Sequence, residues 1–182
     1  MLKRKYQNKK WKKQKRTILF YGEGADEDVF LRYLNTIYGK HNINLRIKIK
    51  NGSGGAPDMV VKKAINYYGD FDARVVIIDT DRPKIEIEAA RKMAKDSGVF
   101  LIENNPCLEA LLLRILNVGK IIKNKKSEYY KKEFEKGHIC ERKRCNVDEY
   151  KKIFPKNILD NKRKEIEELN KIIGFMESKK LK

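Results

Sequence analysis

Apolar residues recur along this chain in short blocks separated by stretches of helical spacing. Thr17-Ile18-Leu19-Phe20-Tyr21 is rich in β-formers and stops at glycine, which predicts a buried strand over 17–21. Asp26, Glu27 and Asp28 then open a helix whose apolar positions, Val29, Phe30, Tyr33, Leu34 and Ile37, share one face and end near Gly39. Residues 45–49 alternate Leu, Arg, Ile, Lys, Ile, the period-two pattern of a half-buried or edge strand, and 51–57 read as a glycine-rich loop.

Helical spacing returns over 58–68, and Gly69-Asp70 punctuates its end. Val75-Val76-Ile77-Ile78 is the strongest strand, because a continuous β-branched run suits the centre of a parallel sheet buried on both faces. A helix over 84–96 leads into a strand over 99–102. Asn105-Pro106 reads as an N-cap and first helical residue, and Leu108, Leu111, Leu112, Ile115 and Leu116 follow as one apolar stripe. From Lys120 the chain is charged and helical by pattern, with a last helix over about 160–177. Alternating strands and helices predict an α/β fold: a mostly parallel sheet with helices on both faces, plus a helical, basic C-terminal extension.

Charge divides the chain in the same way. The net charge is +18, yet residues 17–118 are neutral overall; the excess lies in 1–16, which hold nine bases and no acid, and in 119–182. The expected organisation is a basic arm over 1–16, one core over 17–118 and a charged extension over 119–182 packed on it. Electropositive flanks suit a polyanionic partner, DNA or RNA, since each neutralised phosphate releases counterions. The apolar run after the basic start is too short for a signal segment or a membrane span, so a cytoplasmic protein without a membrane partner is expected. Three cysteines, Cys107, Cys140 and Cys145, make no disulfide framework. His138 with Cys140 and Cys145 invites a zinc reading but lacks paired ligand spacing, and Cys107 suits a small buried hydrophobe.

In open parallel sheets, chemistry gathers at the carboxyl ends of strands. Glu23 follows the first strand between two glycines, which allow a tight turn and close approach of a phosphate. Asp79 and Asp81 follow the central strand; if it runs through both, their carboxylates share a face. Like charges so placed repel unless a cation lies between them, and carboxylate oxygens suit Mg2+ or Mn2+. Glu27 is either a further ligand or a helix-dipole acid; after the fourth strand comes Glu103, with Glu109, a weaker candidate, one helical turn further on.

Ile18-Leu-Phe-Tyr-Gly-Glu-Gly24 with Asp26-Glu27, followed by Val75-Val-Ile-Ile-Asp-Thr-Asp81, resembles the two motifs of the Toprim domain. Asn104-Asn-Pro-Cys-Leu-Glu-Ala-Leu-Leu-Leu113 resembles the third segment of RloB-like proteins. Asp26 and Leu108 depart from the family pattern without removing an acid. The resemblance implies a Toprim fold, metal-dependent phosphodiester cleavage like that of OLD-type Toprim nucleases, and an ATPase partner subunit in a defence or mobile-element setting. The catalytic residues so implied are Glu23, Asp79 and Asp81, with Glu27 and Glu109 as further metal ligands. The competing expectation is a non-catalytic nucleic-acid-binding or sensor subunit with the same core as scaffold. No topoisomerase gate or primase element is legible, and Pro83 argues against a DxD phosphatase.

Overall fold

The computed structural model describes residues 15–117, 125–139 and 146–178. Four strands form one all-parallel sheet: β1 (Arg16–Gly22), β2 (Leu45–Asn51), β3 (Ala73–Asp79) and β4 (Phe100–Asn104), in the order β2-β1-β3-β4. The expected α/β class is therefore the observed one. β1 and β3 lie at the centre, where Ile18, Leu19, Phe20, Val75, Val76 and Ile78 are wholly buried; a strand covered on both faces has no polar side to display.

Each face has its own core. Alternate residues Leu19, Tyr21, Val76 and Ile78 pack under α2 (Pro57–Asn66) and α3 (Lys84–Asp96). Their neighbours Ile18, Phe20, Val75 and Ile77 face α1 (Ala25–Leu34) and α4 (Leu108–Leu116). The extension supplies α5 (Ser127–Gly137), α6 (Val147–Ile153), α7 (Lys156–Lys162) and α8 (Glu167–Met176), whose Phe134, Tyr150, Phe154, Leu159, Ile172 and Phe175 join that second core. Tyr33 of α1 donates its buried hydroxyl proton to the Phe154 carbonyl, tying the extension to the first helix. Among the described residues no helix is long and apolar enough to cross a membrane.

The helix after β1 runs to Gly39 as expected, α-helical to Leu34 and closing in one π-helical turn, Asn35–Gly39. Two local expectations are corrected. Asn105-Pro106 does not open α4: β4 runs to Asn104, the pair forms the turn, and Cys107 is the N-cap. The Thr80 N–H holds that turn in place, donating to the carbonyls of Asn104 and Pro106 at 3.0 and 2.9 Å. Finally, the helix expected over 160–177 is two, because the chain turns at 163–166, where Arg163 ion-pairs with Glu177 at 2.9 Å. Residues 1–14 of the basic arm, together with Cys140 and Cys145 of the zinc reading, lie outside the described residues.

Candidate functional site

The strand ends build an acidic cleft on the α1 and α4 side of the sheet. β1 stops at Gly22, which pairs with Ile77, so the next N–H of β3 that faces β1 has no strand carbonyl to meet. The Glu23 side chain takes its place, with Oε2 accepting from the Asp79 N–H at 3.2 Å. Across the sheet Asp79 pairs with Asn104 of β4, and the Asn104 amide donates to Asp79 Oδ1 at 3.2 Å. Asn104 is fully buried, and its own Oδ1 has no hydrogen-bond partner among the described residues.

Two helix starts bring further carboxylates. Glu27, in the first turn of α1, is 7 % exposed and accepts from the Gly24 N–H at 2.9 Å, so it serves as a capping acid while facing the cleft. Gly22 permits this: a Cβ there would stand 2.6 Å from the Glu27 Cβ. Glu109, in the first turn of α4, is 4 % exposed. Glu23, Asp26, Glu27, Asp79 and Glu109 line one cleft of about 270 Å³, together with Gly54 from the loop after β2 and Lys131 of α5.

Crowding of buried carboxylates sets the electrostatics. Burial, then the charges of Glu27, Glu23 and Glu109, raise the Asp79 pKa well above the carboxylate range, although the Asn104 bond works the other way. Burial likewise raises Glu27, against the lowering effect of its backbone hydrogen bonds and with help from Asp26 and Glu23. Partial burial would lower the Lys131 ammonium, but Glu109, Asp81 and Asp79 outweigh it and hold its pKa above the ordinary value. The Cys107 thiol, wholly buried, is pushed up to about 12 by burial and by Glu109, in keeping with a small buried hydrophobe.

Asp81 stands apart. β3 ends at Asp79, so strand alternation does not carry the two aspartates onto one face. Asp81 is exposed and lines a neighbouring hollow with Pro106, Lys125, Lys126, Ser127 and Glu128. Of the five candidate acids, Glu23, Glu27, Asp79 and Glu109 are brought together, and Asp81 sits beside them. Glu103, also at a strand end, pairs with Arg91 at 2.7 Å and does not line the cleft. Asp28 pairs with Arg32 along α1 at 2.5 Å.

The donor set fits a hard divalent cation in kind: carboxylate oxygens, mutually repelling, partly desolvated, with one orphaned amide oxygen behind them. As the side chains stand, no group of three or more His, Cys, Asp or Glu among the described residues is arranged to hold a metal ion. Lys131 and Asn104 are the members of the site that sequence reasoning passed over. Asn104 opens the Asn-Asn-Pro-Cys segment and could have been found there; Lys131 reaches the cleft only through tertiary packing.

No protein-family model, curated protein or solved structure matches the chain. Fold and site define it as an α/β protein with a parallel sheet and an acidic cleft at the carboxyl ends of its strands.

Proposed function

We propose that this chain is a metal-dependent nuclease of the Toprim, RloB-like kind, cleaving phosphodiester bonds in DNA or RNA. One observation carries the reading: four carboxylates from three separate segments, Glu23 and Glu27 after β1, Asp79 of β3 and Glu109 of α4, converge on one cleft, where burial and mutual repulsion suppress the acidity of two of them. Glu23 and Glu27 also have backbone tasks, but the gathering of Asp79 and Glu109 with them is not required by those tasks, and perturbed acids in a cleft are a mark of functional sites.

Glu23, Asp79 and Asp81, with Glu27 and Glu109, would hold Mg2+ or Mn2+. The ion's chemistry is to neutralise phosphate charge and acidify water. The residues themselves have distinct tasks. Asn104 orients Asp79 through its amide. Glu23, fixed by the Asp79 N–H, would act either as a metal ligand or as general base, and Arg82 approaches its other oxygen at 3.7 Å. Lys131 presents a cation to an incoming phosphate oxygen. An ATPase partner subunit and a defence role belong to the family resemblance and extend this proposal.

A second reading, a non-catalytic nucleic-acid-binding or sensor subunit, is favoured by the position of Asp81 outside the cleft and by the lack of a ready three-carboxylate cage among the described residues. Calorimetric titration of Mn2+ into the protein and into Asp79→Asn tests the first reading. Saturable binding that the substitution abolishes is expected; titrations that coincide would refute it.

A further inference from the structure

β2 is an edge strand, and one of its faces is basic from end to end. Arg46, Lys48 and Lys50 alternate with Leu45, Ile47 and Ile49, so period two puts the three cations opposite the apolar residues. Register fixes which face this is. They stand beside Thr17, Leu19 and Tyr21 of β1, and Leu19 and Tyr21 belong to the core under α2 and α3. Those two helices cover β1, β3 and β4, while α1 and the π-helical turn pack on β2 from the other side. Arg46 and Lys48 are left exposed, and Lys50 is half-buried over the Tyr67 ring at 5.7 Å.

The row leads to the cleft. After Asn51 the chain enters the loop whose Gly54 lines the acids. Two more cations sit on this loop: Lys63 Nζ donates to the Gly52 carbonyl at 2.6 Å, and Arg82 donates to that of Gly55 at 3.4 Å. Arg82 also approaches Glu23, so an arc of positive charge runs from Arg46 to the mouth of the site. The core is neutral overall, yet it sets a cluster of acids in the cleft and a row of bases along this strand.

We infer that the basic face of β2 and the loop after it form a track for a single strand of nucleic acid, guiding its phosphates to the acidic cleft. Same-face residues of a strand lie about 6.6 Å apart. That matches the spacing of successive phosphates in a single strand, so Arg46, Lys48 and Lys50 can each meet one. The destination of the strand rests on the nuclease reading of the cleft; the binding itself does not. Edge-strand lysines also guard against edge-to-edge association, and charge reversal separates the two roles, because glutamate guards an edge equally well but repels a polyanion.

The test compares full-length protein with Arg46→Glu/Lys48→Glu and with Lys92→Glu/Lys95→Glu, which makes the same charge change on exposed positions of α3. Anisotropy of a labelled oligothymidylate is followed across salt in EDTA. The track predicts an affinity loss of at least about tenfold, and a salt slope smaller by about 1.4, from two lost contacts at about 0.7 each. The α3 variant should stay within about twofold at matched salt. If Arg46→Glu/Lys48→Glu fails to fold, Arg46→Gln/Lys48→Gln carries the same slope test. Arg46/Lys48 variants that bind as the α3 control does would overturn the track. Mn2+-dependent hydrolysis of bis(p-nitrophenyl) phosphate, too small to use the track, reports the cleft alone. Inertness of the wild type toward that ester and toward DNA and RNA, with the binding loss in the Arg46/Lys48 variants intact, would remove the nuclease reading and leave the track standing.

Discussion

The Glu23 carboxylate accepts the backbone N–H of Asp79 at 3.2 Å, so a side chain just past β1 continues a hydrogen-bond ladder that the strand itself has left. Structure and proposed chemistry therefore make different demands on Glu23. Glu23→Gln keeps an acceptor for that N–H, and Glu23→Ala does not. By urea denaturation the alanine variant should be less stable than the glutamine variant by about 1 kcal/mol. Both should lose Mn2+ affinity; equal stability of the two would show that the bond is idle.

Burial and mutual repulsion raise the folded pKa of Glu27 and of Asp79. The folded state thus keeps protons that the unfolded chain releases, and the sign follows: this contribution to stability is fully present below the ordinary carboxylate pKa and is lost as pH rises toward the raised folded values. In EDTA, Tm should fall between about pH 5 and about pH 8 more steeply for the wild type than for Asp79→Asn. Mn2+ should restore part of the loss in the wild type alone. Parallel profiles for the two proteins would contradict the repulsion.

Much of this was legible because it is periodic. The alternation over 45–49 became β2, and the β-branched run at 75–78 became the centre of β3. The acids after strand ends gave Glu23 and Asp79 by topology alone. What the pattern left open needed tertiary knowledge. Strand length set Asp81 apart: Val75 to Asp79 pair with β4 as far as Asn104, and past that pair the Thr80 N–H turns to the carbonyls of Asn104 and Pro106. The turn at 163–166 contains no glycine or proline, and Leu159 and Ile166 are seven apart, as in an unbroken helix; the pairing of Arg163 with Glu177 lies in three dimensions. Lys131 is one lysine among many in a charged segment, distinguished only by the cleft that α5 overhangs.

Gly22 has a steric task that predicts its own variant. A methyl group there would meet the Glu27 Cβ at 2.6 Å, and both atoms are fixed to backbone. Gly22→Ala should force α1 away from β1 and cost about 1–3 kcal/mol. Because Glu27 moves with the helix, Mn2+ affinity should fall alongside stability. A variant that matches the wild type in Tm and in Mn2+ titration would show that α1 can shift freely.

The two functions make opposite demands on Asp79. A nuclease needs its carboxylate, while a binding subunit needs only cations such as those of β2, and removing a negative charge beside a polyanion's path can only ease its approach. Asp79→Asn keeps side-chain size and leaves an amide beside Asn104, while it relieves the repulsion from Glu27, Glu23 and Glu109. The variant should be folded, and more stable than the wild type at alkaline pH. It should bind a labelled oligonucleotide at least as tightly, yet show no Mn2+-dependent cleavage of DNA or RNA. Loss of binding together with cleavage would mean that Asp79 shapes the surface rather than the chemistry. Wild-type protein that leaves both nucleic acids intact in Mg2+ and Mn2+, alone and with an ATPase partner, would favour the binding subunit, with the acidic cleft part of its scaffold.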